Sequence, residues 1–175
     1  MYILDLTIFK MNRKYTLMML LVLFTSGILL AQGTVNPYYS RTDTSKVKVS
    51  NETWKKILPA AIYEVARNKD TEYAFTGKLW NYFGVGTYYC AVCGNALFRS
   101  DAKFASECGW PSFFETTRKT SVIYKHDKSY DMDRTEVLCG RCESHLGHLF
   151  DDGPPPSHNR YCMNSSVLDF VPGTK

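Results

Sequence analysis

Cys90-Ala91-Val92-Cys93-Gly94 and Cys139-Gly140-Arg141-Cys142 carry the reading of this chain. A C-x-x-C pair brings two sulfurs of one tight turn to one ion. Two such pairs supply the four tetrahedral ligands that zinc takes in structural sites, and thiolates suit it as soft donors. Small residues stand where the backbone must bend towards sulfur, Gly94 after the first pair and Gly140 inside the second. The competing assignment is two vicinal redox disulfides, which an oxidising compartment favours. A thioredoxin-like C-x-x-C requires a βαβ context, and none is legible around either pair. Cys90, Cys93, Cys139 and Cys142 are therefore assigned to one structural zinc ion.

Short β-prone runs flank and separate the two pairs. They are Tyr88-Tyr89, Ala96-Leu97-Phe98, Ser121-Val122-Ile123-Tyr124, Thr135-Glu136-Val137-Leu138 and Val167-Leu168-Asp169-Phe170. Turn residues divide them: Gly84, Gly86, Gly94-Asn95, Gly109, Asp127, Gly140 and Gly153-Pro154-Pro155-Pro156. Upstream, Trp54, Ile57, Leu58, Ile62, Val65 and Ala66 fall at helical spacing, with Pro59 suited to the first turn of a second short helix. The expectation is one mainly β domain over residues 51–171 behind a helical lead-in. Residues 34–50 are polar and read as a linker.

Residues 1–33 read as a signal peptide. Lys10, Arg13 and Lys14 precede an apolar run from Leu17 to Leu30, and Ala31-Gln32-Gly33 offers small residues for cleavage. Export to a periplasmic or extracellular location follows, with membrane anchoring through residues 17–30 as the alternative; Met11 is a plausible true start. The 175 residues suit one domain, and 45% hydrophobic with 14% aromatic content is enough to build a core. A net charge of +4 without long basic runs leaves no nucleic-acid footprint.

Two cysteines remain. Cys162 stands in Asn159-Arg160-Tyr161-Cys162-Met163-Asn164-Ser165, and on a strand Arg160, Cys162 and Asn164 share one face. A cation beside a thiol favours thiolate, the nucleophilic form. Cys108 lies in Glu107-Cys108-Gly109-Trp110-Pro111-Ser112-Phe113-Phe114, where glycine and proline make an accessible turn. An oxidised thiol needs a second thiol to resolve it, and Cys108 is the one left. Trp110, Phe113 and Phe114 are candidates for an aromatic pocket beside it, with core packing the alternative for one or two of them. His145 and His148 are free of the metal, because four cysteines already complete it.

Three stretches together resemble a known family. Cys108-Gly109-Trp110-Pro111-Ser112-Phe113, the run from His145 to Pro154, and Arg160 to Ser165 are similar to the B-type methionine-R-sulfoxide reductases. The two C-x-x-C pairs fall where zinc-binding members carry theirs, and the resemblance spans about residues 53–170. It implies two antiparallel sheets with short N-terminal helices and the zinc knuckles away from the active site. By the same resemblance Cys162 is the nucleophile, Cys108 the resolving cysteine, and Trp110 the wall that receives the substrate methyl group. His145, His148, Asp152, Arg160 and Asn164 surround the sulfoxide oxygen and the nucleophile. Two departures are a proline-rich loop, Pro154-Pro155-Pro156-Ser157-His158-Asn159, and Met163 where isoleucine is commoner.

The activity so implied is thiol-dependent reduction of methionine R-sulfoxide, in proteins or peptides, as repair of oxidative damage. Cys162 becomes a sulfenic acid, a Cys108–Cys162 disulfide forms, and thioredoxin or an envelope counterpart resets it. Stereospecificity for the R epimer comes from the resemblance alone. Two rival classes are a non-catalytic zinc-knuckle binding module, which leaves Cys108 and Cys162 unexplained, and a thiol–disulfide oxidoreductase, which lacks its βαβ setting.

Overall fold

The structure, a computed structural model, describes residues 35–173. The expected signal peptide, and with it the anchoring alternative and the choice of start, lies outside the described residues. Among the described residues, two short helices lead into nine strands. Helix α1 covers Asn51–Ile57 and α2 covers Ala60–Asn68. Ser50 caps α1 by accepting the Thr53 N–H at 3.3 Å, and Glu52 and Lys55-Lys56 complement the two helix ends. Pro59 serves as the cap residue of α2 rather than its first helical residue, and Lys69 ends it in the left-handed conformation. The buried side chains of this lead-in, Trp54, Leu58, Tyr63, Val65 and Ala66, join the main core.

The strands are β1 (Gly86–Cys90), β2 (Ala96–Arg99), β3 (Lys103–Phe104), β4 (Ser112–Phe113) and β5 (Val122–Asp127), then β6 (Arg134–Cys139), β7 (His145–Phe150), β8 (Arg160–Met163) and β9 (Leu168–Pro172). They form two antiparallel sheets, a small one ordered β2-β1-β9 and a large one ordered β3-β4-β8-β7-β6-β5. An aromatic layer joins the sheets. Tyr88, Phe98 and Phe170 come from the small sheet, and Phe113 and Tyr161 from the large one. Phe98 stacks on Phe113 with ring centroids 4.3 Å apart.

Each C-x-x-C pair is the turn of a hairpin, one hairpin per sheet. Cys90 ends β1 and Cys139 ends β6, and the two turns share a hydrogen-bond pattern. Gly94 and Glu143 donate their N–H to the carbonyls of Cys90 and Cys139, while the N–H groups of Cys90 and Cys139 reach Asn95 and Ser144. Gly94 and Glu143 both take a positive φ at matching positions. Gly140 has a different reason from the one its place in the motif suggests: a Cβ there would stand 2.0 Å from the Thr120 carbonyl oxygen.

The stretch read as a linker has no helix or strand over residues 35–50, yet it packs against these turns. Ser40 donates to the Cys93 carbonyl and Val47 to that of Arg141. The Arg141 side chain, 4% exposed, returns bonds to the carbonyls of Tyr38, Ser45 and Cys93 and pairs with Asp43 at 2.7 Å.

Candidate active site and metal centre

The register of the large sheet builds the site. Ser112 on β4 pairs with Cys162 on β8, Cys162 with His148 on β7, and His148 with Glu136 on β6. Directly paired residues face the same side of a sheet, so four polar groups form one row across four strands. Two residues along, Arg160 pairs with Phe150 on the same face, and its guanidinium lies 4.3 Å from the Phe150 ring centroid. The intervening residues Tyr161 and Met163 are buried on the opposite face.

A bulge brings the second histidine to this face. On a regular strand His145 and His148 would point to opposite sides. Here Val137 pairs with Gly147 and Leu138 with His145, so Leu146 is extra and the two imidazoles end 5.4 Å apart. Gly147 allows it: its φ is +157°, and a Cβ would lie 2.1 Å from the Cys162 carbonyl oxygen.

Cys162 opens into a cavity of about 140 Å³, walled by Trp110, Phe150, Arg134, His148, Thr71 and Asn164. Cys108, in the turn before β4, places its sulfur 3.5 Å from that of Cys162. Ser106 and Ser112 lie 3.0 and 3.4 Å from the Cys108 sulfur. The two thiols are hydrogen-bond partners. The hydrogen bond from Cys162, aided by the two serines, holds the Cys108 thiol down to about 4, while the same contact and burial push Cys162 up. Arg160 works against the rise at Cys162. One negative charge therefore resides in the pair, adjacent to an arginine.

Each histidine has a carboxylate behind it. His145 Nδ1 is 2.7 Å from Glu136 Oε1, and Lys69 pairs with the other oxygen of Glu136 at 2.8 Å. His148 Nε2 is 2.7 Å from Asp127 Oδ2, which also meets Arg134 at 2.8 Å. Burial lowers both imidazoles, offset in part by these carboxylates. Burial opposes ionisation of Asp127, but hydrogen bonds from Ser129 and His148 and the charge of Arg134 outweigh it, so it stays below the usual carboxylate range. Glu136 is lowered too, against its burial, by Lys69 and His145. His148 lines the cavity; His145 instead faces an adjoining polar hollow, with Nε2 buried and unpartnered.

Besides His145, two further residues expected at the site stand elsewhere. Phe113 is fully buried in the aromatic layer, because its neighbour Ser112 is the one that faces Cys162. Phe150 forms the second aromatic wall instead. Asp152 does not line the cavity; it grips Arg160 through two hydrogen bonds of 2.7 and 2.9 Å and so holds that cation over Phe150. The structure brings Cys108, Trp110, His148, Cys162 and Asn164 together at the cavity, with Arg160 beside them over Phe150. Missed from the sequence were Asp127, Arg134, Glu136, Phe150 and the two serines around Cys108. Of these, only Phe150 had a local signal, its two-residue spacing from His148.

The metal centre is equally built. The sulfurs of Cys90, Cys93, Cys139 and Cys142 all lie within 4.8 Å of one another, with Cys90–Cys142 at 3.8 Å and Cys93–Cys139 at 3.6 Å. A tetrahedron with zinc–sulfur bonds of about 2.3 Å has edges of about 3.8 Å, so the four sulfurs fit that ion. The Arg141 N–H and the Asn95 amide point at the Cys139 sulfur, as suits a thiolate. None of the four cysteines lines the cavity.

Two close thiols against a small aromatic-walled cavity, with carboxylate-held imidazoles on the same sheet face, mark the chain as an oxidoreductase. A family model described as the SelR domain matches residues 58–172. The peptide methionine sulfoxide reductase MsrB of Methanosarcina barkeri is 51% identical over 124 residues, which is 71% of this chain and 87% of that protein. Proteins of the same name from Leptospira interrogans and Bradyrhizobium diazoefficiens are 49% and 48% identical, covering 71% and 76% of this chain and 95% and 96% of theirs. The chain belongs to this family, the B-type methionine-R-sulfoxide reductases, and is an enzyme that reduces methionine sulfoxide.

Proposed function

We propose that the chain reduces methionine R-sulfoxide in oxidised proteins and peptides by a two-thiol cycle, as repair. The observation that carries the reading is the 3.5 Å contact between Cys108 and Cys162 at a cavity walled by Trp110 and His148.

The substrate methyl group rests against Trp110 and Phe150, which leaves the sulfoxide oxygen towards His148 and the sulfur towards Cys162. Cys162 passes its proton to the Cys108 sulfur across their 3.5 Å contact, and the Cys162 thiolate so formed attacks the sulfoxide sulfur and takes the oxygen, while His148 delivers one proton to it. Methionine leaves and Cys162 becomes a sulfenic acid. A sulfoxide oxygen transfers poorly without that proton, which suits an imidazole held on a carboxylate. His148 fits the acid's place better than His145 because it lines the cavity. The Cys108 thiol then attacks the sulfenic sulfur, forming a Cys108–Cys162 disulfide and releasing water. An external dithiol, thioredoxin or an envelope counterpart, reduces that disulfide by exchange.

Asp152 and Arg160 act through position, holding a cation beside the thiols and stacked on Phe150. Cys90, Cys93, Cys139 and Cys142 would hold a zinc ion that ties the two hairpin turns together, a structural role apart from the cavity. Export through residues 1–33 places the cycle outside the cytoplasm, with the envelope as the site of repair.

The test is reduction of the R and S epimers of a blocked methionine sulfoxide by the purified chain with dithiothreitol. Turnover of the R epimer alone, lost in Cys162→Ser, is expected. Turnover that survives Cys162→Ser refutes the nucleophile, and no turnover of either epimer by a folded, zinc-loaded chain refutes the activity.

A further inference from the structure

Residues 70–85 between α2 and β1 have no regular secondary structure, yet two of the cavity's polar and aromatic contacts hang on one residue in them. The Glu72 carbonyl accepts the Trp110 indole N–H at 3.1 Å. The Glu72 N–H donates to the Asn164 side-chain carbonyl at 3.0 Å. Its carboxylate is itself tied down twice, accepting the N–H of Ser165 at 2.6 Å and of Ser166 at 2.9 Å. Asn164 is fixed from its other side by donating to the Leu146 carbonyl at 3.1 Å, inside the β7 bulge.

We propose that Glu72 is a positioning residue for the reductase site. Its side chain clamps the 70–85 segment to the turn after β8, and its backbone thereby sets the tilt of Trp110 and the orientation of Asn164. The inference rests on the proposed reading of the cavity as the sulfoxide site. Its logic is mechanical. A loop without ladder hydrogen bonds samples several conformations unless a side chain fixes it. Glu72 supplies that fixing point one residue from where the cavity wall begins at Thr71.

Two neighbours show how closely the clamp is fitted. A Cβ on Gly77 would lie 2.6 Å from Glu72 Oε1 and 2.3 Å from the Ser165 Cβ, so the chain passes tightly over the carboxylate. Leu79 donates its N–H to the Ser165 hydroxyl at 2.8 Å, a second tie to the same turn. Glu72 touches neither sulfur and carries no proton in the cycle. Its loss therefore acts on substrate placement and not on the thiol chemistry.

The experiment compares Glu72→Ala and Glu72→Gln in the full chain. The expected result for Glu72→Ala is a KM for the R-sulfoxide raised about ten-fold or more, with kcat and single-turnover sulfenic acid formation close to the parent. Glu72→Gln keeps one carboxamide oxygen for one N–H and gives an intermediate KM. The ¹⁵N–¹H resonance of the Trp110 indole, assigned with Trp110→Phe, shifts and exchanges faster with solvent in Glu72→Ala. That signal does not depend on turnover, so it still decides the clamp if the parent proves inactive and the sulfoxide reading fails. An unchanged KM together with an unchanged indole resonance in folded Glu72→Ala overturns the proposal. So does a fall in kcat alone in either variant, and Glu72→Gln provides the same readouts where Glu72→Ala does not fold.

Discussion

Replacing Gly147 with alanine tests the bulge that assembles the site. The added Cβ would stand 2.1 Å from the Cys162 carbonyl oxygen and 3.0 Å from the Met163 Cα. A carbon–oxygen contact settles at about 3.3 Å, so β7 and β8 must part locally by about 1.2 Å. The displaced pairs are His148 with Cys162 and Gly147 with Met163, which hold the imidazole opposite the Cys162 thiol. Overpacking of this kind costs about 1–3 kcal/mol, equivalent to a fall in Tm of roughly 2–12 °C for a domain of this size. A misplacement of about 1 Å at reacting groups costs about 10²-fold in rate, so kcat/KM should fall by that order in protein that is still folded. Thermal unfolding and R-sulfoxide kinetics on the same preparation give both numbers. Gly173→Ala serves as control, since a Cβ there meets nothing closer than 3.6 Å. A Gly147→Ala protein with parental Tm and kcat/KM within about three-fold of parent would refute the argument that close strand approach places the two groups.

Four further outcomes are expected. Cys108→Ser should complete one turnover and stop, giving stoichiometric methionine with thioredoxin present; sustained cycling would remove its resolving role. Phe113→Ala should lose about 3–5 kcal/mol of stability with KM unchanged, and Trp110→Ala the reverse, which denaturant titration and kinetics separate. If protonated His148 is the acid, the rate falls as pH rises through its value, which burial places below the usual imidazole range. Asp127→Asn removes the carboxylate that favours the imidazolium, so that limb of the kcat profile should move to lower pH. Stripping the metal with a chelator should release one zinc per chain and lower Tm, while the Cys108–Cys162 pair stays free to form its disulfide.

The sequence made some of this legible because the relevant signals are local. A C-x-x-C turn carries its own geometry, so the four ligands were readable without knowing which strands pair. Alternation along β8 put Arg160 and Cys162 on one face, as found. What was not legible depends on pairing across the sheet. Glu136 and Asp127 look like ordinary solvent-side carboxylates of two strands until the register sets them behind His145 and His148. Phe113 and Phe150 are equivalent as residue types, and only the facing of Ser112 towards Cys162 sends Phe113 into the core. The bulge at Leu146 is likewise a property of two strands with unequal residue counts, invisible in either alone. The polar stretch before α1 gives no periodic signal, and its packing follows from Arg141, a long buried side chain whose partners lie far away in sequence.

The two metal-binding turns come from different sheets, and this has a consequence for the unfolded chain. Cys93 and Cys139 are 46 residues apart, and Cys90 and Cys142 are 52 apart. An ion held by all four sulfurs therefore acts as a cross-link closing a loop of about fifty residues. By the chain-entropy relation for covalent bridges, such closure removes about 4 kcal/mol of freedom from the denatured ensemble. Cys108 and Cys162 stand differently to it: Cys108 lies inside the closed loop and Cys162 outside it. In the proposed cycle the bond between them closes a second loop that overlaps the first along the chain, so the disulfide form would be the most tightly constrained state.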